Sequence, residues 1–171
     1  IQTHPLSIVK ELLVNSFKKH TDIGNLFEDR EHVVSVKDNF DDLLFEESHV
    51  ARRPSESFFL SNGTLLRTHL TSRDGFYVRQ GINKFLNVGK VFRRDEIDAA
   101  HLPVFHQFEG VYLYDTALPR PNVLSDLQTT ITQVFKDIFG PDAMVKWSES
   151  QFPFTDPSVE AEVWFNGRWL E

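Results

Sequence analysis

The chain has 171 residues, is 40% hydrophobic and 25% charged, and carries a formal net charge of −7. That length supports one domain with a real core, and 8 Gly and 8 Pro beside 16 Phe is a globular balance and not a disordered one. The absence of cysteine excludes disulfide frameworks, thiol catalysis and thiolate metal sites; no apolar run reaches the ~20 residues of a membrane span, no signal or transit peptide is visible at Ile1, and the net charge argues against a generic polyanion binder.

The charge is unevenly spread. Residues 1–50 carry a net −5, residues 51–94 a net +7, and residues 95–171 a net −9. An acidic body therefore holds a basic island from Arg52 to Arg94. Such an island is either a solvated face or an anion site.

In chain order, Pro5 suits the first turn of a helix, and Ile8, Val9, Leu12, Leu13 and Phe17 follow at helical spacing. Lys18, Lys19 and His20 favour its C-terminus, and Gly24 is a stop. His32 to Val36 reads as a short strand, while Asn39 to Glu47 is acidic and ambiguous. Asn62-Gly63 between two apolar runs is a hairpin signal. Phe76 to Asn87 has a helical pattern. Val88–Asp95 and Val104–Tyr114 read as strands joined by a polar loop. Val123 to Phe139 is a second helix, ended by Gly140-Pro141. Ala143–Trp147, Gln151–Thr155 and Val159–Phe165 read as strands, the last with one apolar and one polar face. Asn166-Gly167 turns into Arg168–Leu170. The expected class is α+β, a mostly antiparallel sheet with flanking helices.

The chemistry concentrates between Gly89 and Gly110. Strand periodicity puts Arg93 and Asp95 on one face, and Phe105, Gln107 and Glu109 on one face of the next strand. If those strands are antiparallel neighbours, a cation, polar groups and a ring share one surface. The alternative is a plain salt bridge between Arg93 and an acid on a solvent face. His20, His32 and His49 read as surface or packing residues. No metal site is expected, because His101 and His106 lack further ligands.

These residues resemble motif 2 of class II aminoacyl-tRNA synthetases, and more narrowly the phenylalanyl-tRNA synthetase catalytic subunit. The blocks occur in the same order: His4-Pro5-Leu6, Asn39-Phe40-Asp41 in the motif 1 region, Leu65 to His69, Val91 to Asp95, His101 to Gly110, Phe152 to Pro157, and Trp169 to Glu171. Single-chain mitochondrial or other organellar enzymes are nearest in flavour, from the Phe85–Arg94 stretch and Val145–Trp147; a cytoplasmic location is the alternative.

The resemblance implies roles. Arg93 would bind the ATP α-phosphate as the catalytic cation, which a planar guanidinium does well. Phe105 would stack on adenine, Asp95 would meet its amino group, and His101 would reach the phosphates. Gln107 and Glu109 would hold the phenylalanine ammonium, with His69 and Thr71 lining that end. Phe152 and Phe154 would pack on the phenyl ring, although a bare Phe-Pro-Phe is ordinarily core. ATP would bring Mg²⁺, and tRNA(Phe) would be the macromolecular partner. Asp74 departs from the family's neutral Gln at its position.

Motif 3 and an anticodon-binding domain are missing, so residues 1–171 are expected to be an incomplete catalytic domain with little turnover alone, in a natural protein that continues. The competing readings are a non-catalytic synthetase-like regulatory or interaction module, and a synthetase for a related amino acid such as phosphoserine, which the Phe-Pro-Phe wall fits poorly.

Overall fold

The computed structural model describes residues 4–94, 96–98, 101–115 and 122–171. The chain forms two compact units, one of residues 25–112 and one of residues 1–24 with 113–171.

The unit of residues 25–112 is built on a three-stranded sheet. In it β1 (Asn25–Glu28) pairs in parallel with β4 (Lys84–Phe92), which pairs antiparallel with β5 (Val104–Tyr112). The pattern over Phe76–Asn87, expected to be one helix, divides. α3 (Asp74–Arg79) stops before Gly81, whose φ is +80°, and strand β4 begins at Lys84. The physical reason is burial on both faces: Phe85 and Leu86 are adjacent and both inaccessible, as in a central strand. A strand buried on both faces shows no alternation, so its apolar run resembles a helix.

A second, two-stranded ribbon joins β2 (Val33–Ser35) antiparallel to β3 (Thr64–Leu66). Asn62 and Gly63 both adopt positive φ in the turn before β3, and Leu60 N–H donates to Thr64 O at 2.8 Å. The ambiguous acidic stretch becomes α2 (Val36–Asn39), capped by Ser35, and a 3₁₀ turn at Asp41–Leu43. Val34, Phe40 and Leu65 form a small core there, with Val36, Phe45 and Ala51 against it.

The other unit packs α1 (Pro5–His20) against α4 (Val123–Phe139), beside a sheet in the order β6 (Val145–Ser150), β7 (Ser158–Phe165), β8 (Arg168–Leu170), antiparallel throughout. Ser16, Lys19 and His20 of α1 converge on Asp137 of α4. Together they hold that carboxyl well below the usual range, Lys19 first. The expected strand at Gln151–Thr155 is absent. Pro153 has no N–H for a ladder, and the segment turns instead, with Thr155 N–H donating to Phe152 O. In β7 only Val163 is buried, so its apolar face is less sharply closed than the alternation implies. Among the described residues, no helix is long and apolar enough to cross a membrane.

Gly89 is the tightest point of the central sheet. A Cβ there would overlap the Arg67 guanidinium and lie 2.8 Å from Asp29 O and 3.0 Å from Leu70 Cδ2. Gly89→Ala should therefore lower unfolding free energy by about 1–3 kcal/mol, the usual cost of overpacking. Denaturant titration checks this; an unchanged midpoint would contradict the packing.

Candidate functional site

The floor of the site is the β4–β5 ladder. Asn87 stands opposite Glu109, Gly89 opposite Gln107, and Val91 opposite Phe105. Directly opposed residues in an antiparallel pair present their side chains on one face. The same face continues onto β1, where Phe27 is opposite Asn87. Arg93 lies just past β4 with the same parity, and its N–H donates to Pro103 O at 3.1 Å. The surface anticipated from sequence therefore forms: Arg93, Phe105, Gln107 and Glu109 share one side of the sheet.

The segment from Arg67 to Asp74 is the roof over that face. Arg67 is wholly buried above Gly89. Its Nη1 pairs with Asp29 Oδ1 at 2.9 Å, and its Nε, Nη1 and Nη2 donate to the carbonyls of Lys90, Glu31 and Asp29. With Arg67 pinned, the following residues reach down. Leu70 N–H donates to Gln107 Oε1 at 3.1 Å, and the Thr71 hydroxyl donates to Glu109 Oε1 at 2.9 Å. Arg93 reaches up, its Nε donating to Thr68 O at 3.1 Å and its guanidinium lying 5.2 Å from the Phe105 ring centre. That cation–π contact turns a planar, charged fork along an aromatic face.

Asn39 sets the far end. It is inaccessible, its amide clamps Thr68 through Oγ1 (2.9 Å) and N–H (3.1 Å), and its carbonyl accepts from His69 Nε2 at 3.0 Å. A carbonyl can only accept, so the His69 proton sits on Nε2. Burial, with Arg93 adding to it, lowers His69 to about 4 against the raising effect of the Asn39 carbonyl, and the ring is neutral at pH 7. A cavity of about 220 Å³ opens here, lined by Phe45, Glu56, Ser57, Thr68, His69 and Arg93.

Two carboxyls dominate the electrostatics. Burial raises Glu109, against the opposing pull of Thr71, Arg67 and Arg93. Burial and then the Glu109 charge push Asp74 up to about 8. Asp29 behaves oppositely. Burial alone would raise it, but the Glu31 N–H, Tyr77 hydroxyl, Arg73 and Arg67 together hold it low.

The remaining sequence candidates are placed differently. His101 is in the β4–β5 loop, exposed, with Nδ1 2.9 Å from Asp98. Asp95 lies outside the described residues. Phe152 and Phe154 belong to the other unit, on a turn and not the anticipated strand, with ring centres 6.4 Å apart. Several cations of the basic island bond groups of the chain itself: Arg52 to Asp41 and Phe45 O, Arg73 to Asp29, and Arg94 to Pro54 O. Among the described residues no cluster of three His, Asp or Glu could hold a metal. Sequence reasoning missed Asn87, fully buried in the floor, and the clamping role of Asn39. Only knowledge of the strand pairing reveals the first; the Asn39-Phe40-Asp41 block was a signal for the second.

The model of the family described as tRNA synthetases class II core domain (F) matches residues 1–171. The chain is 36% identical over 197 residues to the mitochondrial phenylalanine–tRNA ligase of Dictyostelium discoideum, covering 98% of this chain and 43% of that protein. It is 36% identical over 170 residues to the phenylalanine–tRNA ligase alpha subunit of Prochlorococcus marinus, covering 98% and 48%. The crystal structure of pyrrolysyl-tRNA synthetase from Desulfitobacterium hafniense superposes with a TM-score of 0.67 at 14% identity, covering 97% of this chain and 57% of that one, a likeness of fold alone. The chain spans about half the length of the curated relatives it matches.

The raised Asp74 fixes a pH signature. An unfolded Asp ionises near 3.9, so between about pH 4 and 8 the unfolded state loses a proton that the folded state keeps, and stability falls as pH rises. Asp74→Asn should remove that slope. Thermal unfolding from pH 4 to 9 should show the variant gaining on the wild type by at most about 1.4 kcal/mol per pH unit, with the gain ending above pH 8. Parallel curves would contradict a protonated Asp74.

Proposed function

Because the chain belongs to the class II tRNA synthetase core-domain family, we propose that it supplies the catalytic core of a phenylalanine–tRNA ligase. The observation that carries this reading is the single sheet face on which Arg93 lies over Phe105 while Gln107 and Glu109 sit beneath Leu70 and Thr71. A cation beside a ring suits a nucleotide's phosphate and base. A buried carboxylate beside an amide suits an ammonium. Both names of the relatives are those of phenylalanine–tRNA ligases.

In this reading a carboxylate oxygen of phenylalanine attacks the ATP α-phosphorus and pyrophosphate leaves, giving phenylalanyl-adenylate. A ribose hydroxyl at the tRNA(Phe) end then attacks the mixed-anhydride carbonyl and AMP leaves. Arg93 stabilises charge growing on the α-phosphate oxygens, in a geometry already set by Thr68 O, so little reorganisation is needed. Phe105 supports the base, and Glu109 with Gln107 fixes the ammonium so that the carboxylate meets phosphorus. His69, neutral at pH 7, adds no charge beside Arg93. Phe152 and Phe154, which belong to the other unit, are the rings that the resemblance assigns to the substrate's phenyl group. ATP would carry its own Mg²⁺ as part of the substrate. The mitochondrial name of one relative supports an organellar site of action.

Phenylalanine-dependent ATP–pyrophosphate exchange by the full-length protein tests this. Arg93→Ala should lower exchange roughly 10²–10³-fold, as loss of a charge-stabilising donor does, and Glu109→Ala should abolish measurable saturation by phenylalanine. A wild-type protein that binds neither phenylalanine nor ATP would instead favour a non-catalytic module.

A further inference from the structure

Three acceptor oxygens on the roofed face have no hydrogen-bond partner among the described residues: Asp74 Oδ1, Asn87 Oδ1 and Glu109 Oε2. Asn87 is wholly inaccessible and its amide nitrogen is equally unmet. Buried polar atoms are normally satisfied, so several orphans in one cluster mark a place where something else binds.

The three belong together. Asn87 and Glu109 are directly opposed in the β4–β5 register and point to one face. Asp74 is tied to that pair through Thr71: its N–H donates to Thr71 O, while the Thr71 hydroxyl donates to Glu109. α3, which starts at Asp74, lies over the same row, because Tyr77 stacks at 4.2 Å on Phe27, the β1 neighbour of Asn87. The nearby cations are committed elsewhere, Arg67 to Asp29 and backbone carbonyls, and Arg93 to Thr68 O and Phe105.

We propose that Asp74 and Asn87 join Glu109 in seating the ammonium group of the amino-acid substrate, and that its arrival expels one proton from the Asp74–Glu109 pair to solvent. The proposal rests on the amino-acid-activating function above and extends it to two residues. A primary ammonium carries three N–H donors, matching three orphan acceptors. Asp74, held up by burial and by Glu109, keeps its proton at neutral pH in the empty site. On binding, the carboxyl O–H bond breaks, its proton goes to water or buffer, and the freed carboxylate accepts from the ammonium. The charged groups acting on this pair are Arg67 and Arg93, both towards Glu109, and Glu109 towards Asp74. The neutral Asn87 contributes a dipole without adding a third negative charge.

The test is calorimetric titration of phenylalanine into the full-length protein at pH 7, in two buffers of different ionisation enthalpy, with ¹³C NMR titration of the carboxyls in the ligand-free protein. The expected result is release of close to one proton by the wild type. Asp74→Asn should release almost none and bind roughly tenfold more weakly, the scale of one charge-assisted hydrogen bond. Asn87→Leu should weaken binding while leaving proton release intact. Phenyllactate, which lacks the ammonium, should release no proton. Phenylalanine binding without proton release, or release retained in Asp74→Asn, overturns the inference but leaves the proposed function standing. Absence of phenylalanine binding overturns both. Should Asp74→Asn not fold, the wild-type NMR decides: a pair that holds no proton at pH 7 contradicts the inference.

Discussion

Everything in the site hangs from the buried pair of Arg67 and Asp29. Breaking up the hydration of two charges is costly, and the pair is tolerated because its polar atoms are met: three carbonyls for the guanidinium, and Arg73, Tyr77 and the Glu31 N–H for the carboxylate. Gly89 makes the arrangement possible by leaving the guanidinium room to lie on the sheet. With Arg67 fixed, the next seven residues hang over the face at defined heights. That is why one backbone N–H finds Gln107 and one hydroxyl finds Glu109.

The consequence is a site whose parts are set before a ligand arrives. Arg93 is held by Thr68 O, and Thr68 is held by Asn39, so α2 and the central sheet are joined through a chain of short polar contacts. Rigid donors and acceptors of this kind need little reorganisation when charge develops. The acidic end is strained in the opposite sense, with two carboxyls sharing a dry place and keeping unmet oxygens. Such a place favours an incoming cation.

Much of this was legible in sequence, unevenly. α4 spans Val123–Phe139 as its periodicity and Gly140 indicate, because an amphipathic surface helix carries its own signature. The face of Arg93, Phe105, Gln107 and Glu109 followed from a two-residue period. The second half of β4, from Val88, reads as a strand, but its first half, residues 84–87, does not, since a strand covered on both faces loses alternation. Gln151–Thr155 misread as a strand because aromatic content outweighed Pro153. Asn87 was invisible for a different reason: its meaning comes from lying opposite Glu109, and pairing is a tertiary fact. The charge pattern also changed meaning. Within the basic island from Arg52 to Arg94, Arg52, Arg67, Arg73 and Arg94 are bonded to groups of the chain itself, while Arg93 is set beside a ring and a cavity.

The most direct test of the account is a crystal structure of the full-length protein with a non-hydrolysable phenylalanyl-adenylate analogue. The account predicts the analogue's ammonium about 3 Å from Glu109, its phosphate substitute on Arg93, and its adenine on Phe105. An analogue bound away from this face, or bound with its ammonium in solvent, would contradict it.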